Sequence, residues 1–256
     1  MNKIFAGIIG LGVGIKHFET ISGIKNCEVK YVCDFNKKKL LKFKTDRKVK
    51  KIINYKEMLN DNSINLVVIA SYDNFHYDQI VECIKFKKNI FIEKPICLTN
   101  HELFKLRILL KKNPNIKISS NLVLRTNKIF QNVKKQINKN NFGKTYYFEG
   151  DYNFGRIEKI QSGWRGKISN YSVVLGGGIH LIDIILWLNN SKVKKVLALG
   201  NNISTKNSQF KKNDFVTALI KFSDNSIAKI SSNFGSCAPH HHILNIYGTK
   251  KTFMHN

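Results

Sequence analysis

The chain has 256 residues, 43% of them hydrophobic, enough to bury a core in one large domain or two modest ones and too apolar for a disordered segment. Its formal charge of +26 would suit a nucleic-acid binder, but only five of the 43 basic residues are arginine. The lysines lie in small scattered groups such as Lys37–Lys39, Lys87–Lys88 and Lys111–Lys112, which reads as a solvated surface without a specific nucleic-acid partner.

Residues 4–15, "IFAGIIGLGVGI", follow a lysine as a secretory signal would, but no small-residue cleavage site comes after them, and a strand running into a glycine turn explains them better. Strand-length apolar runs continue at 29–33, 66–70 and 89–92. Between them, near 14–25, 36–46, 55–61 and 76–87, apolar residues recur every three or four positions, the helical period. This rhythm predicts an α/β fold with a doubly wound parallel sheet, a dinucleotide-binding Rossmann domain over residues 1–120.

The texture changes beyond residue 120. A helix over 127–138 leads into "KTYYFEGDYNF"; a helix near 180–188, "KVLALGN" and "HHILNIYG" follow. "FVTALIKF" and "SIAKISSNF" alternate on either side of Ser223–Asp224–Asn225 and read as a hairpin. Residues 121–256 are therefore expected to form an α+β domain with a largely antiparallel open sheet. Five cysteines without a C-x-x-C pair fit a reducing, cytoplasmic compartment, and no apolar run approaches membrane-spanning length, so no membrane partner is expected.

Three features carry chemistry. Gly10, Gly12 and Gly14 stand where the first strand hands over to the first helix, where glycine lets backbone N–H groups approach a pyrophosphate. Asp34, about twenty residues on at the end of the second strand, is placed to bind an adenosine ribose and to repel a 2′-phosphate, which favours NAD over NADP. The spacing departs from G-x-G-x-x-G, with glycine at 14 and Ile15 where the third glycine belongs. Lys94 follows what reads as the fourth strand, so it emerges at the carboxyl edge of the sheet, with Pro95 fixing the chain behind it and a cis Lys–Pro bond open to it. The triplet His240–His242 puts two imidazoles on one strand face, but no carboxylate or cysteine cluster joins them beyond Cys237, and no metal is expected.

"GIIGLGVG", "EKPICLT" and "GGGIHLID", in that order, resemble the glucose–fructose oxidoreductase/inositol dehydrogenase (Gfo/Idh/MocA) family of NAD(P)-dependent sugar and cyclitol dehydrogenases. "IASYDNFH" and "SGWRG" extend the likeness, with Tyr72 and Asp73 replacing a proline and asparagine of the family's turn. The resemblance implies an NAD-dependent oxidoreductase transferring a hydride between the nicotinamide and a secondary alcohol or ketone of a sugar-like substrate. It implies Lys94 and His180 as catalytic residues in contact with the substrate; Asp183 joins them as a catalytic and substrate candidate, and Arg125 as a substrate candidate, on their own chemistry. It implies Gly10, Gly12, Gly14, Asp34, Ser71, Asn74, His76, Glu93, Lys94, Trp164 and Arg165 on the cofactor. His180 is the expected acid/base and Lys94 the charge that steadies a developing alkoxide, so an imidazole and an amine from distant parts of the chain must serve one substrate.

Asp183, three residues after His180, shares its helix face and reads either as a partner of imidazole or substrate, or as an acid favoured by the helix dipole. Arg125 and Arg165 read either as a clamp on a substrate carboxylate or phosphate or as interdomain salt-bridge residues. Gly176–Gly178 would bring the turn before His180 close to the cofactor. Gly176 stands where many relatives carry an aspartate, which keeps a non-catalytic nucleotide-binding sensor as the alternative. The family also implies a homo-oligomer through the second-domain sheet, and further elements beyond "YGTKKTFMHN", so that the chain reads as a fragment or a short form.

Overall fold

Four of the six residues of the first strand, β1 (Ile4–Ile9), are buried, because it runs through the middle of a sheet. The computed structural model describes residues 3–255 and divides into two compact units, Met1–Asn121 and Leu122–Asn256.

In the first unit the elements alternate. β1 is followed by α1 (Gly14–Ser22), β2 (Cys27–Cys33), α2 (Lys37–Lys42), β3 (Lys50–Ile52), α3 (Lys56–Leu59) and β4 (Leu66–Ile69), then by α4 (His76–Lys85), β5 (Asn89–Ile92), α5 (Asn100–Lys112) and β6 (Ile118–Ser120). The strands are all parallel in the order β3-β2-β1-β4-β5-β6. Neighbouring strand residues face opposite ways, and this splits the core in two. Ile8, Val32 and Val68 pack with Phe18 and Leu40 of α1 and α2, whereas Ile9, Val67 and Ile69 pack with Met58, Ile80 and Leu106 of α3 to α5. The order in which strands are added reverses between β1 and β4, so the β1 turn and the β4 turn open side by side at the carboxyl edge, where doubly wound sheets bind ligands.

The second unit contains α6 (Lys128–Asn138), β7 (Thr145–Asn153), α7 (Glu158–Gln161), α8 (Ile179–Asn189), β8 (Val193–Asn201), β9 (Phe215–Phe222), β10 (Ile227–Asn233), β11 (His241–Gly248) and β12 (Thr252–His255). Its six-stranded sheet runs β12-β11-β7-β10-β9-β8 and is antiparallel except where β7 meets β10. The expected hairpin is β9–β10. Leu181, Ile184, Ile185 and Leu188 form one stripe of α8 and pack with Phe148, Phe222 and Ile246 from the sheet.

Five elements escaped the sequence reading: β3, α5, β6, α7 and β12. β3 and β6 are three-residue edge strands rich in lysine or serine, too short and polar to show a period. α5 announces itself by a capping box: Thr99 Oγ1 accepts the Glu102 N–H, and Glu102 Oε2 accepts the Thr99 N–H. With β3 included, Lys94 follows the fifth strand, not the fourth, and the turn with Tyr72 and Asp73 follows the fourth.

Lys88 is a second correction. Its side chain is no solvated charge but 5% exposed, with Nζ donating to the Asp61 and Ile64 carbonyls at 2.8 and 2.9 Å. Burial pushes its pKa down. Lys88→Met would leave two carbonyls without their donor and should cost about 1–3 kcal/mol in urea unfolding. Lys111→Met, on the exposed side of α5, should stay within about 0.5 kcal/mol.

Candidate functional site

In the first unit the three glycines of the first turn do three different things. Gly10 has φ +94°, and a Cβ there would lie 2.6 Å from the Ala70 carbonyl carbon, so this position admits only glycine. Gly14 begins α1, and its absent Cβ would sit 3.1 Å from Ile8 Cγ2 and 3.4 Å from Ala70 Cβ, which sets the close approach of helix to sheet. A Cβ on Gly12 would meet nothing within 4 Å. The glycine that packs the helix thus comes one position early, and the one that faces open space is Gly12.

Asp34 is 4% exposed and holds that turn. Its Oδ2 accepts the Leu11 N–H at 2.8 Å and its Oδ1 the Asn36 N–H at 2.9 Å, with Lys39 Nζ 3.6 Å from Oδ2. A carboxylate has about four acceptor sites, so these two backbone bonds leave capacity for a ligand. Gly10, Gly12, Asp34, Lys39, Ser71 and Tyr72 line a cavity of about 360 Å³. Phe35 meets Tyr72 edge-on at 5.8 Å, and Lys39 Nζ lies 5.9 Å from the Tyr72 ring centre. A larger groove of about 730 Å³ lies elsewhere on the same unit, between α1 and the β4–β6 strands, and includes none of the residues singled out from sequence.

The β4 turn departs from expectation. His76 is fully buried: Nδ1 lies 2.6 Å from the Pro95 carbonyl oxygen and Nε2 3.3 Å from that of Ser71. It ties two loops together and is not open to a cofactor. Ser71 donates to Gln79 Oε1 at 2.7 Å, and Asn74 is exposed outside the cavity.

Glu93 is likewise committed within the unit. Its Oε1 bonds His17 Nε2 at 2.8 Å and accepts from Asn121 Nδ2 at 2.7 Å, joining α1 to the ends of β5 and β6. Burial pushes its carboxyl up, but the bonds from His17 and Asn121 and the charges of His17 and Lys94 hold it below the usual range. Lys94 thus stands between two anchored residues, Glu93 before it and Pro95 after it, across a cis peptide bond.

In the second unit His180 is the second residue of α8, entered through a π-helical turn over Val174–Gly178. The glycine triplet serves this chain's own side chains. A Cβ on Gly177 would lie 2.8 Å from Phe234 Cε2 and press into the Tyr152 ring, and one on Gly178 would lie 3.2 Å from Ser232 Cβ. Tyr152 stacks with His180, ring centres 6.3 Å apart. His240 and His242 flank the same tyrosine at 5.3 and 4.7 Å, and their rings lie 4.8 Å apart. His241 points the other way, toward Asn153 Nδ2 at 3.1 Å.

Tyr152 is the residue the sequence reading missed. It reaches the histidines only because β11 pairs His242 opposite it, a register that a single strand does not reveal. Burial pushes its phenol up, and Arg165 and Arg156 pull it back in part. Arg165 stacks on Trp164 with 4.5 Å from guanidinium carbon to ring centre.

Asp183 and Arg125 are spent on each other. Arg125 Nε donates to Asp183 Oδ2 at 2.7 Å and its Nη2 to Oδ1, which raises the guanidinium pKa. Both belong to the second unit, so Arg125 makes no interdomain bridge through this pair. Among the described residues no group of three His, Cys, Asp or Glu side chains could hold a metal ion, and no helix is long and apolar enough to cross a membrane.

Comparison with known proteins places these features in context. The model of the oxidoreductase family with an NAD-binding Rossmann fold (GFO/IDH/MocA) matches residues 4–121, and the GFO/IDH/MocA C-terminal domain matches residues 130–254. Inositol 2-dehydrogenase of Salmonella typhimurium is 26% identical over 75% of this chain, which spans 56% of that protein's length. Myo-inositol 2-dehydrogenase of Lactobacillus plantarum superposes with a TM-score of 0.89 at 23% identity, over 99% of this chain and 76% of that one. Scyllo-inositol dehydrogenase of Lactobacillus casei, solved with NAD(H) and scyllo-inositol, gives 0.86 at 21% identity, over 99% and 76%. At these identities the structures share the fold.

Burial and the neighbouring His240 push the His242 imidazole down to about 4, from an ordinary value of 6.5. The folded state then binds fewer protons than the unfolded one, so this contribution to stability is complete above about pH 6.5 and is lost as pH falls through about 4. Thermal or urea unfolding between pH 7 and pH 4 should show this loss, and His242→Phe should flatten it.

Proposed function

The chain belongs to the GFO/IDH/MocA oxidoreductase family, and from that premise we propose that it is an NAD-dependent dehydrogenase acting on a secondary alcohol or ketone of a sugar, cyclitol or sugar derivative. The observation that carries the reading is the open space at Gly12, set between Gly10, which has no room for a Cβ, and Gly14, which has little, and beside a carboxylate that lines a cavity. Backbone N–H groups at the start of α1 would face a pyrophosphate there, with the helix dipole favouring its charge. Asp34 would take the ribose hydroxyls on its remaining lone pairs and disfavour a 2′-phosphate. Lys39, 3.6 Å from that carboxylate, is already drawn to it.

When bound, the nicotinamide supplies or accepts the hydride. The chain's own groups manage the proton and the charge. His180 takes the hydroxyl proton as the alcohol is oxidised and returns it in the reverse direction, work that suits an imidazole near neutral pH. Lys94, steadied by Glu93 and Pro95, supplies positive charge to the oxygen as the proton leaves. Asp183 serves indirectly: bonded to Arg125, it anchors the helix that presents His180. Trp164 and Arg165 remain on the cofactor in this reading.

The proposal extends to assembly and location. Every residue of β8 is exposed, and Leu197, Leu199 and Leu219 leave an apolar patch at that end of the sheet, Leu199 at 70% exposure. This supports a homo-oligomer formed through the second-unit sheet. The cysteines are all free thiols, as a cytoplasmic protein would keep them.

Gly12→Val tests cofactor binding separately from folding. The melting temperature should stay within about 1–2 °C, because no neighbour is displaced, while NADH fluorescence titration should show binding weakened by at least about tenfold. Unaltered binding would exclude this turn as the pyrophosphate site. Turnover of a panel of cyclitols and sugars should fall by about 10²-fold or more in His180→Ala and in Lys94→Ala. Loss of neither would remove both residues from the chemistry.

A further inference from the structure

Tyr171 is 2% exposed, and its ring meets Phe210 and Phe234 edge-on, with centres 6.2 and 6.4 Å away. Its hydroxyl lies where a side chain at position 176 would begin. A Cβ built on Gly176 would fall within bonding reach of that oxygen and 2.6 Å from the ring carbon Cζ.

Gly176 precedes His180 by four residues in one continuous stretch, the π-turn over Val174–Gly178 running straight into α8. Side chains four apart on a helix share a face, and each leans toward the helix N terminus. A side chain at position 176 would therefore lie on the His180 side of this helix. A tyrosine hydroxyl stands there.

The geometry points to Tyr171 as a positioning residue for His180: its hydroxyl enters from the segment before the π-turn, through the gap at Gly176, and orients the imidazole through one water. The inference rests on the reading of His180 as the proton acceptor. A phenol hydroxyl both donates and accepts, so it can stay bonded to that water before and after the proton moves. Gly176 is what admits it, as Gly177 admits the ring of Tyr152 on the next position. The titratable group stacked on His180 is Tyr152 from β7, and Tyr152 in turn meets His240 and His242, with Arg156 and Arg165 acting on its phenol. Asp183, on the same helix, is held by Arg125.

Tyr171→Phe in the full chain keeps the ring and removes only the oxygen. In the cofactor-free protein, the NMR titration midpoint of the His180 imidazole should move by about 0.4–1 unit, the worth of one hydrogen bond. With a substrate from the panel, kcat should fall by about fivefold to tenfold, KM for NAD should hold, and the pH–rate profile should move with the titration. Gly176→Ala, which pushes the hydroxyl off its place, should shift the same midpoint. Tyr171→Ala combined with Gly176→Asp, which puts a carboxylate into the vacated space, should regain part of the lost kcat. An unmoved His180 titration in Tyr171→Phe, or in Gly176→Ala if the first variant does not fold, overturns the proposal. A shifted titration in a protein that turns over none of the panel would keep Tyr171's hold on the imidazole and count against the dehydrogenase reading instead.

Discussion

The carboxylate of Glu93 is the fastening point of the first unit's working edge. Bonded to His17 on α1 and to Asn121 beyond β6, it fixes the end of β5 against elements far apart in sequence. Lys94 inherits that fixity. From the other side, Pro95 is held through its carbonyl by the buried His76, which also reaches the loop after β4. A lysine on a strand end would ordinarily sample many rotamers, and anchoring both neighbours removes the backbone part of that freedom. The three letters E-K-P thus describe two struts and the charge they carry.

A second constraint is where a Cβ cannot go. Gly10 and Gly14 yield to the chain's own atoms, and Gly12 yields to nothing, which separates a structural glycine from one that leaves room for a ligand. The triplet before His180 follows the first pattern only. Gly176, Gly177 and Gly178 are filled by Tyr171, Tyr152 with Phe234, and Ser232. The same residue type at two turns therefore does opposite work, and only the neighbours distinguish them.

Charge tells a similar story. A formal charge of +26 suggests a surface covered with free lysine, yet Lys88 is buried on two carbonyls and Lys229 bridges Asp151 and Glu149 across the second sheet. Arg125, a candidate for a substrate's anion, is neutralised by Asp183 instead. The arginines whose field reaches the aromatic cluster around His180 are Arg156 and Arg165.

Local pattern by itself determined a great deal here. The period of apolar residues places four of the six parallel strands, their helices and the hairpin, because side-chain spacing alone decides which face a short segment can bury. The glycine turn, Asp34, the E-K-P strand end and the G-x-H-x-x-D helix are contiguous motifs, legible for the same reason. The tertiary structure decided what those residues touch. It committed Glu93 and His76 to holding loops, paired Asp183 with Arg125, and set Tyr152 opposite His242 and Tyr171 over Gly176. Each of these rests on strand register or on contacts between segments distant along the chain, and such contacts depend on three-dimensional closure that no run of neighbouring letters records.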